Sequence, residues 1–498
     1  MDPLDGLMMG FGLTLGTSTL AACLVGALLG TLVGVLPGIG PVATMALLLP
    51  ATFHMEPASA LVMLAGIYCG AQYGSSTTAI LLNLPGEASG VITALDGHAL
   101  AKRGRAGAAV AVAALASFAA GILSTFAIAW LAPLFARLGL AMTPAHVALL
   151  LIFGLCLAVS MSPAARLKAL GGAAFGVFLG LVGTDSGGGP PRMTFGIWEL
   201  ADGIGFAVVA MGIYGLGEIA YALQAAPDAH ARAPLGRVRP HRKEMQASAL
   251  PAVRGAAIGT LIGLVPGGST VLASFAAFAW ERRFGRRRHR IGKGAIEGVA
   301  TSEAANNAAA QASFVPLLAL GLPGNAVMAV MAGAMMLQGV LPGPALAVEQ
   351  PDIFWTVVAS MLVGNAMLLV INLPLIGIWV RLLRVPRSWL FPAILTICAA
   401  GAYSLQGAAF DVVLLAAFGA LGFAMRRLEF DPTPFFVGFV VAPLLDDNLR
   451  RALMLARGDL EAALADPVAV VLTMLCVGAV ALGSLAAMRE ARRGLHDC

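Results

Sequence analysis

GALLGTLVGVLPG (Gly26–Gly38) and GAAIGTLIGLVPG (Gly255–Gly267) are one stretch written twice: eight of the thirteen positions are identical, and most of the others exchange one aliphatic side chain for another. Duplication explains that match better than shared composition. Each copy reads as a membrane helix that stops at a Pro-Gly. Glycines four residues apart, at 26, 30 and 34 and again at 255, 259 and 263, leave one face bare for a close neighbour in lipid. Pro37 and Pro266 lack an amide hydrogen, and Gly38 and Gly267 can take backbone angles closed to other residues, so the helix can end there with its polar groups turned inward. At membrane depth such an end must be buried in protein or line a polar cavity. Paired interruptions in corresponding places of two halves point to a transporter's binding site.

The rest of the composition agrees with a membrane location. Of 498 residues, 59% are hydrophobic and 11% charged, with mean hydropathy +0.87. A soluble chain carries roughly twice that charged fraction. Apolar runs follow one another closely enough for roughly a dozen crossings of about 20 residues. The sixty glycines fit close helix packing. The net charge of +5 resides in short loops, which marks topology and not a nucleic-acid partner. The cysteines lie mostly in apolar runs without metal-ligand spacing and read as free packing thiols. MDPLDGLMMG lacks a basic start and a cleavage site, so no removable signal peptide is expected.

Residues 1–225 form an N-terminal repeat, 226–250 a basic cytoplasmic linker, 251–460 a C-terminal repeat, and 461–498 an extra membrane helix with a tail. The duplication continues past its opening helix, because AILLNLPG at 79–86 matches LLALGLPG at 317–324 in the same order. Loop charge orients the halves. HMEPAS at 54–59 has no Lys or Arg, whereas its counterpart ERRFGRRRHRIGK at 281–293 is crowded with them. Lys102, Arg103 and Arg105 then stand against the uncharged QGVLPGP at 338–344. This alternation predicts an all-α polytopic membrane protein of two inverted repeats, with re-entrant Pro-Gly hairpins and broken helices. The N-terminus falls outside the cytoplasm and the C-terminus inside; Arg450, Arg451 and Arg457 depart from the pattern.

Two polar clusters interrupt the apolar runs: YGSSTTAILLNLPGE at 73–87 and TSEAANNAAAQASFVPLLALGLPGN at 301–325. Unpartnered hydroxyls and amides cost a few kcal/mol each in an apolar medium, so both clusters should face a protein interior or wet cavity. A single Ser or Thr among Ser75, Ser76, Thr77 and Thr78 is as readily explained by a bond to a carbonyl one turn earlier. The adjacent Asn306 and Asn307, with Gln311, are harder to explain as packing. Asn83 and Asn325 flank Leu-Pro-Gly breaks, where free amide hydrogens can hold an anion. Hydroxyls, amides and helix ends suit a carboxylate, while free carbonyls suit a small cation, which together describe an ion-coupled carrier of organic anions. Glu87, Asp96 and Glu303 are candidates for ion coupling; for Asp96, capping of a loop is the stronger alternative. No P-loop lysine, HExxH, CxxC or nucleophile elbow is present, so neither an enzyme nor a cofactor is expected.

GTLVGVLPGIGPVATMALLLP, GIYCGAQYGSSTTAILLNLPGEASGVITALDGHALAKRGRAG, KGAIEGVATSEAANNAAAQASFVPLLALGLPGNAVMA and FWTVVASMLVGNAMLLVINLPLIGIWVRLL together resemble the large transmembrane permease subunit of the tripartite tricarboxylate transporter family, over about residues 7–460. The resemblance implies a secondary transporter of the bacterial inner membrane, driven by Na⁺ or H⁺ and importing citrate or related carboxylates. It implies a small membrane subunit of about four helices and a periplasmic solute-binding protein as partners. The motif positions are Gly38, Gly40, Ser75, Ser76, Thr77, Thr78, Asn83, Pro85, Gly86, Asn306, Asn307, Gln311, Pro323 and Asn325. A one-component organic-anion carrier, a channel and a non-transporting scaffold are the competing classes.

Overall fold

The structure is a computed structural model that describes residues 2–36, 40–84, 86–162, 164–184, 189–224, 238–382, 387–459 and 466–494. They are helical almost throughout, and among them the isolated Gly183–Arg192 bridge is the one β-type pairing. Gly38 and Pro85, two of the motif positions, lie outside the described residues, as does Pro37.

The first half contains α1 (Pro3–Thr14), α2 (Thr17–Val35), α3 (Pro41–Thr52), α4 (Pro57–Leu82), α5 (Gly90–Lys102), α6 (Ala106–Leu140), α7 (Pro144–Met161), α8 (Arg166–Gly180) and α9 (Phe206–Ala222). The second half runs through α10 (Arg242–Gly263), α11 (Thr270–Phe284), α12 (Ile296–Ala312), α13 (Phe314–Leu320), α14 (Ala326–Leu337), α15 (Leu346–Glu349) and α16 (Pro351–Asn372). It continues with α17 (Ile376–Leu382), α18 (Arg387–Gln406), α19 (Ala409–Arg427), α20 (Pro432–Leu455) and α21 (Pro467–Gly494). Prolines open α3, α4, α7 and α16, where the absent N–H would have had no helical partner.

The duplicated glycines do the same thing in both halves. A Cβ at Gly26, Gly30 or Gly34 of α2 would strike the carbonyl oxygen of Met63, Ile67 or Ala71 on α4. A Cβ at Gly255, Gly259 or Gly263 of α10 would strike that of Thr301, Ala305 or Ala309 on α12. The two helix pairs are therefore parallel and in the same register, and the offset from α4 to α12 is the one that aligns AILLNLPG with LLALGLPG. The facing stripe on α4 is Gly66, Gly70 and Gly74, where α12 carries Ala304, Ala308 and Ala312, so small residues recur on both sides of each contact.

The return helices are short: α3 has 12 residues and α11 has 15, about 18 and 22 Å of helix against a hydrocarbon core of about 30 Å. Neither can cross. Thr19, near the start of α2, hydrogen-bonds Ser59 at the start of α4 at 3.1 Å, and α3 ends beside α4's first turn, so α2 and α3 enter and leave at one end of the molecule. Thr52, closing α3, accepts a hydrogen bond from Gln338, just past α14, at 2.6 Å. At the other end Arg103, just past α5, donates to the Lys293 carbonyl at 2.8 Å in the loop that follows α11, and Arg105 pairs with Glu244 at the start of α10. The 35-residue α6 connects the two ends. It starts beside Arg105 and finishes with Gly139 against Pro344 of the 338–345 loop. The loops after α3 and α11, equivalent in the duplication, thus lie at opposite ends of α6.

Several expectations change in detail. α1 precedes the first expected apolar segment; its twelve residues are too few to span and pack on α16, with Gly6 against the Trp355 ring. A helix begins at Arg242, inside the expected 226–250 linker, most of whose remainder lies outside the described residues. Among the described residues five helices are long and apolar enough to cross a membrane by length and composition, fewer than a dozen, because the polar α4 and α12 and the interrupted helices fall short on one or the other. Cys23, Cys69, Cys156, Cys398 and Cys476 are free thiols.

Candidate functional site

The two Leu-Pro-Gly breaks are built alike. α4 runs unbroken through Ser75–Thr78 and ends at Asn83, which takes a left-handed conformation; Gly321, its counterpart, ends α13 in the same conformation. A Cβ on Gly86 would meet the Gly34 carbonyl, and one on Gly324 would meet the Gly267 amide, so each break sits against the hairpin of its own half. The second half has a further interruption at Ser313, where Pro316 supplies no N–H to the Ala312 carbonyl.

Between the breaks α4 and α12 cross antiparallel. Ser76 meets Glu303 at one end of the crossing, and Tyr68 meets Phe314, ring to ring, at the other. Glu303 is fully buried. Its Oε2 accepts from Ser76 at 2.5 Å and its Oε1 from Thr93 of α5 at 2.5 Å, and Thr93 also lies 3.0 Å from the Ser302 hydroxyl. One helical turn on, Asn307 donates to Ser117 of α6 at 2.6 Å, and a further turn on Gln311 accepts from Thr125 at 3.1 Å. Glu303, Asn307 and Gln311 form one stripe of α12, faced by Ser117 and Thr125 of α6. Gly121, between those two, leaves room for the Asn365 amide of α16, whose oxygen accepts from Tyr73 at 3.3 Å.

The stripe is not fully satisfied. Asn306 is 1% exposed, yet neither its amide nitrogen nor its oxygen has a protein partner, and Gln72 Nε2, Gln311 Nε2, Asn365 Nδ2 and Thr301 Oγ1 are also buried without one. Buried polar groups normally find partners, so these orphans are exceptions that call for a physical reason. Most of the orphans are amide N–H donors, which suits an anion's oxygens.

The other expected residues fall around this centre. Ser75 accepts from the Glu87 backbone N–H at 2.9 Å, pinning the first break to α4, and Thr78 donates to the Ser75 carbonyl at 3.0 Å. Thr77 is buried beside them. Gly40 caps α3, its carbonyl accepting from the Thr44 hydroxyl at 3.2 Å. Asn83 is exposed, and Asn325 accepts from Met328 N–H at 2.9 Å as the cap of α14, so a side-chain oxygen already satisfies one amide of that helix end. Glu87 lies 3.5 Å from the Ser89 hydroxyl. Asp96 accepts from the backbone N–H groups of Gly292, Gly294 and Ala295 at 2.6–3.0 Å and holds the basic loop onto α5. Gln72, Thr93, Ser117, Thr125 and Asn365 join this polar centre, and the sequence does not single them out. The four-residue spacing of Ser117, Gly121 and Thr125 was the available signal. A separate cavity of about 210 Å³, lined by Leu150, Leu151, Leu320, Pro342, Leu444 and neighbours, is mainly apolar and apart from these amides.

A helical body with apolar helices long enough to cross, short return helices and an unsatisfied polar interior fits a multi-pass membrane protein of the transporter class. Residues 20–437 match the family described as tripartite tricarboxylate transporter TctA, and the chain belongs to that family, which is one of transporters that work with a binding protein and a small membrane subunit. It is similar to an uncharacterized 52.8 kDa protein of the TAR-I ttuC' 3' region of Agrobacterium vitis, 45% identical over 99% of this chain and 98% of that one. It is also 46% identical, over 47% of its own length, to 97% of an uncharacterized protein of the TAR-II ttuC' 3' region of the same organism. No solved structure matches the chain.

Proposed function

We propose that the chain is the large permease subunit of a binding-protein-dependent secondary transporter that imports tricarboxylates or related carboxylates across the bacterial inner membrane on a Na⁺ or H⁺ gradient. The observation that carries this reading is Asn306, buried in α12 with a wholly unpartnered amide, in a protein whose α4, α12 and α16 hold three more orphan amide donors, on Gln72, Gln311 and Asn365. The substrate's carboxylates occupy these donors, with Asn307, Gln311 and the Ser75–Thr78 hydroxyls around them. The halves are inverted repeats. Supporting this are the antiparallel crossing of α4 and α12, the hairpins that enter from opposite ends, and the equivalent loops at opposite ends of α6. The hairpin of the first repeat opens toward the periplasm with the N-terminus, and the basic loop after α11 faces the cytoplasm with the C-terminus.

The test is reconstitution in vesicles with the small subunit and the periplasmic binding protein, challenged with a panel of labelled carboxylates under an imposed Na⁺ or pH gradient. Saturable, gradient-dependent uptake that requires the binding protein is the expected result. Uptake without it would indicate a one-component carrier, and absence of uptake across the panel would overturn the reading.

A further inference from the structure

Five carboxylates are buried among the described residues, and their partners differ in kind. Glu281 pairs with Arg254 at 3.2 Å and Glu297 with Arg287 at 2.9 Å. Asp96 is held by three backbone amides, and Asp411 is buried at the first turn of α19 with one oxygen unpartnered. Glu303 stands apart. No Lys, Arg or His forms an ion pair with it among the described residues, and its carboxylate oxygens meet hydroxyls.

The kind of partner decides which charge states a buried carboxyl can adopt. Arginine and backbone N–H groups only donate, so protonating Glu281, Glu297 or Asp96 would set a donor against a donor and leave one group without a partner. A hydroxyl donates or accepts as required. Ser76 has one proton and two acceptors in reach, Glu303 Oε2 at 2.5 Å and the Gln72 carbonyl at 3.0 Å. With Glu303 ionised, Ser76 and Thr93 both donate to it. With Glu303 protonated at Oε2, its O–H donates to Ser76 Oγ, and Ser76 turns its own proton to Gln72; Thr93 still donates to Oε1. Every group is satisfied in both states, and no heavy atom has to move.

We propose that Glu303 is the group that takes up and releases the coupling proton. This rests on the transport reading above and selects H⁺ over Na⁺. One proton passes from water on the periplasmic side to the carboxylate, which becomes neutral. The same proton returns to water on the cytoplasmic side and regenerates the anion. The titratable and charged groups packed around α12 include Tyr73 on α4, Glu87 in the following break, Asp96 on α5 and the Arg254–Glu281 pair on α10 and α11, with Arg103 and the Arg287–Glu297 pair at its first turn, two turns from Glu303. Tyr73 and Glu87 carry no positive charge that would hold Glu303 ionised.

Two measurements test the proposal. Infrared difference spectra of the purified protein across a pH step read the carbonyl stretch of a protonated carboxyl without any need for transport. The wild type shows such a band and Glu303→Gln lacks it. Vesicles carrying the full complex, with the membrane potential clamped at zero and labelled citrate as the probe, read the coupling. One pH unit, alkaline inside, raises citrate accumulation about tenfold for one proton per cycle, and Glu303→Gln removes that response. If Glu303→Gln does not fold, Glu303→Asp serves, because a carboxyl one methylene shorter keeps the band but displaces its titration. A wild type without the band, a band unchanged in both variants, or a pH response retained by Glu303→Gln overturns the proposal. Failure of the wild type to move any carboxylate would instead overturn the transport reading, and the infrared result would still report on residue 303.

Discussion

Asn83 and Gly321 hold the same left-handed backbone, at φ 57°, ψ 26° and φ 73°, ψ 21°, and each ends a helix immediately before a Leu-Pro-Gly. Asparagine and glycine tolerate this region, whereas a β-branched residue pays about 1–2 kcal/mol to enter it. Asn83→Gly is therefore expected to melt at or above the wild-type temperature and Asn83→Val below it. At Gly321 even alanine should be costly, because its Cβ would come 2.9 Å from the Pro342 carbonyl. Thermal unfolding in detergent checks the order.

The adjacent asparagines should respond in opposite senses. Asn306→Leu replaces an unpartnered buried amide and is expected to leave thermal stability unchanged or raised, while uptake falls at least about tenfold through loss of about 1.4 kcal/mol of substrate interaction. Asn307→Ala breaks bonds to Ser117 and to the Glu303 carbonyl, and should cost about 1–2 kcal/mol of stability. Melting temperature and uptake measured on the same preparations separate the two behaviours.

Glycine at the helix contacts is a steric requirement. Gly30→Ala and Gly259→Ala would each press a methyl group into a facing carbonyl oxygen, at Ile67 and Ala305, whereas Gly154→Ala on α7 meets nothing within 4 Å. The first two are expected to lower the yield of folded protein. The third should be neutral or gain up to about 1 kcal/mol from helix propensity. Size-exclusion profiles of the three variants decide it.

Arg254 and Glu281 join α10 to α11, with the Glu281 side chain only 3% exposed. Arg254→Ala leaves that carboxylate buried without its cation and should destabilise by about 1–3 kcal/mol, discounted for the partial exposure of the arginine. Adding Glu281→Gln should recover part of the loss. Absence of recovery in the double variant would show that the pair acts through packing.

Much of this architecture is legible in the chain because lipid penalises exceptions. Repeated glycines, Pro-Gly stops and amides inside apolar runs have few uses in a membrane, so the hairpins, the breaks and Asn306, Asn307 and Gln311 stand out. Thr93, Ser117 and Thr125 do not, since a lone hydroxyl is satisfied by its own helix, as Thr125 partly is through the Gly121 carbonyl at 2.8 Å. Asn83 and Asn325 look like binding residues in the sequence but lie at helix ends, where an amide also serves as a cap. Asp96 reads in the sequence as a loop cap sooner than a coupling group, and it accepts three backbone amides of the basic loop. That Glu303 meets hydroxyls only the fold reveals.

The sidedness of two equivalent loops tests the opposed insertion of the halves most directly. In a cysteine-free background, a membrane-impermeant maleimide added to intact cells should label His54→Cys, in the loop after α3, and reach Arg286→Cys, in the loop after α11, only once the membrane is opened. Labelling of both from the same side would contradict a doubled, oppositely inserted transporter.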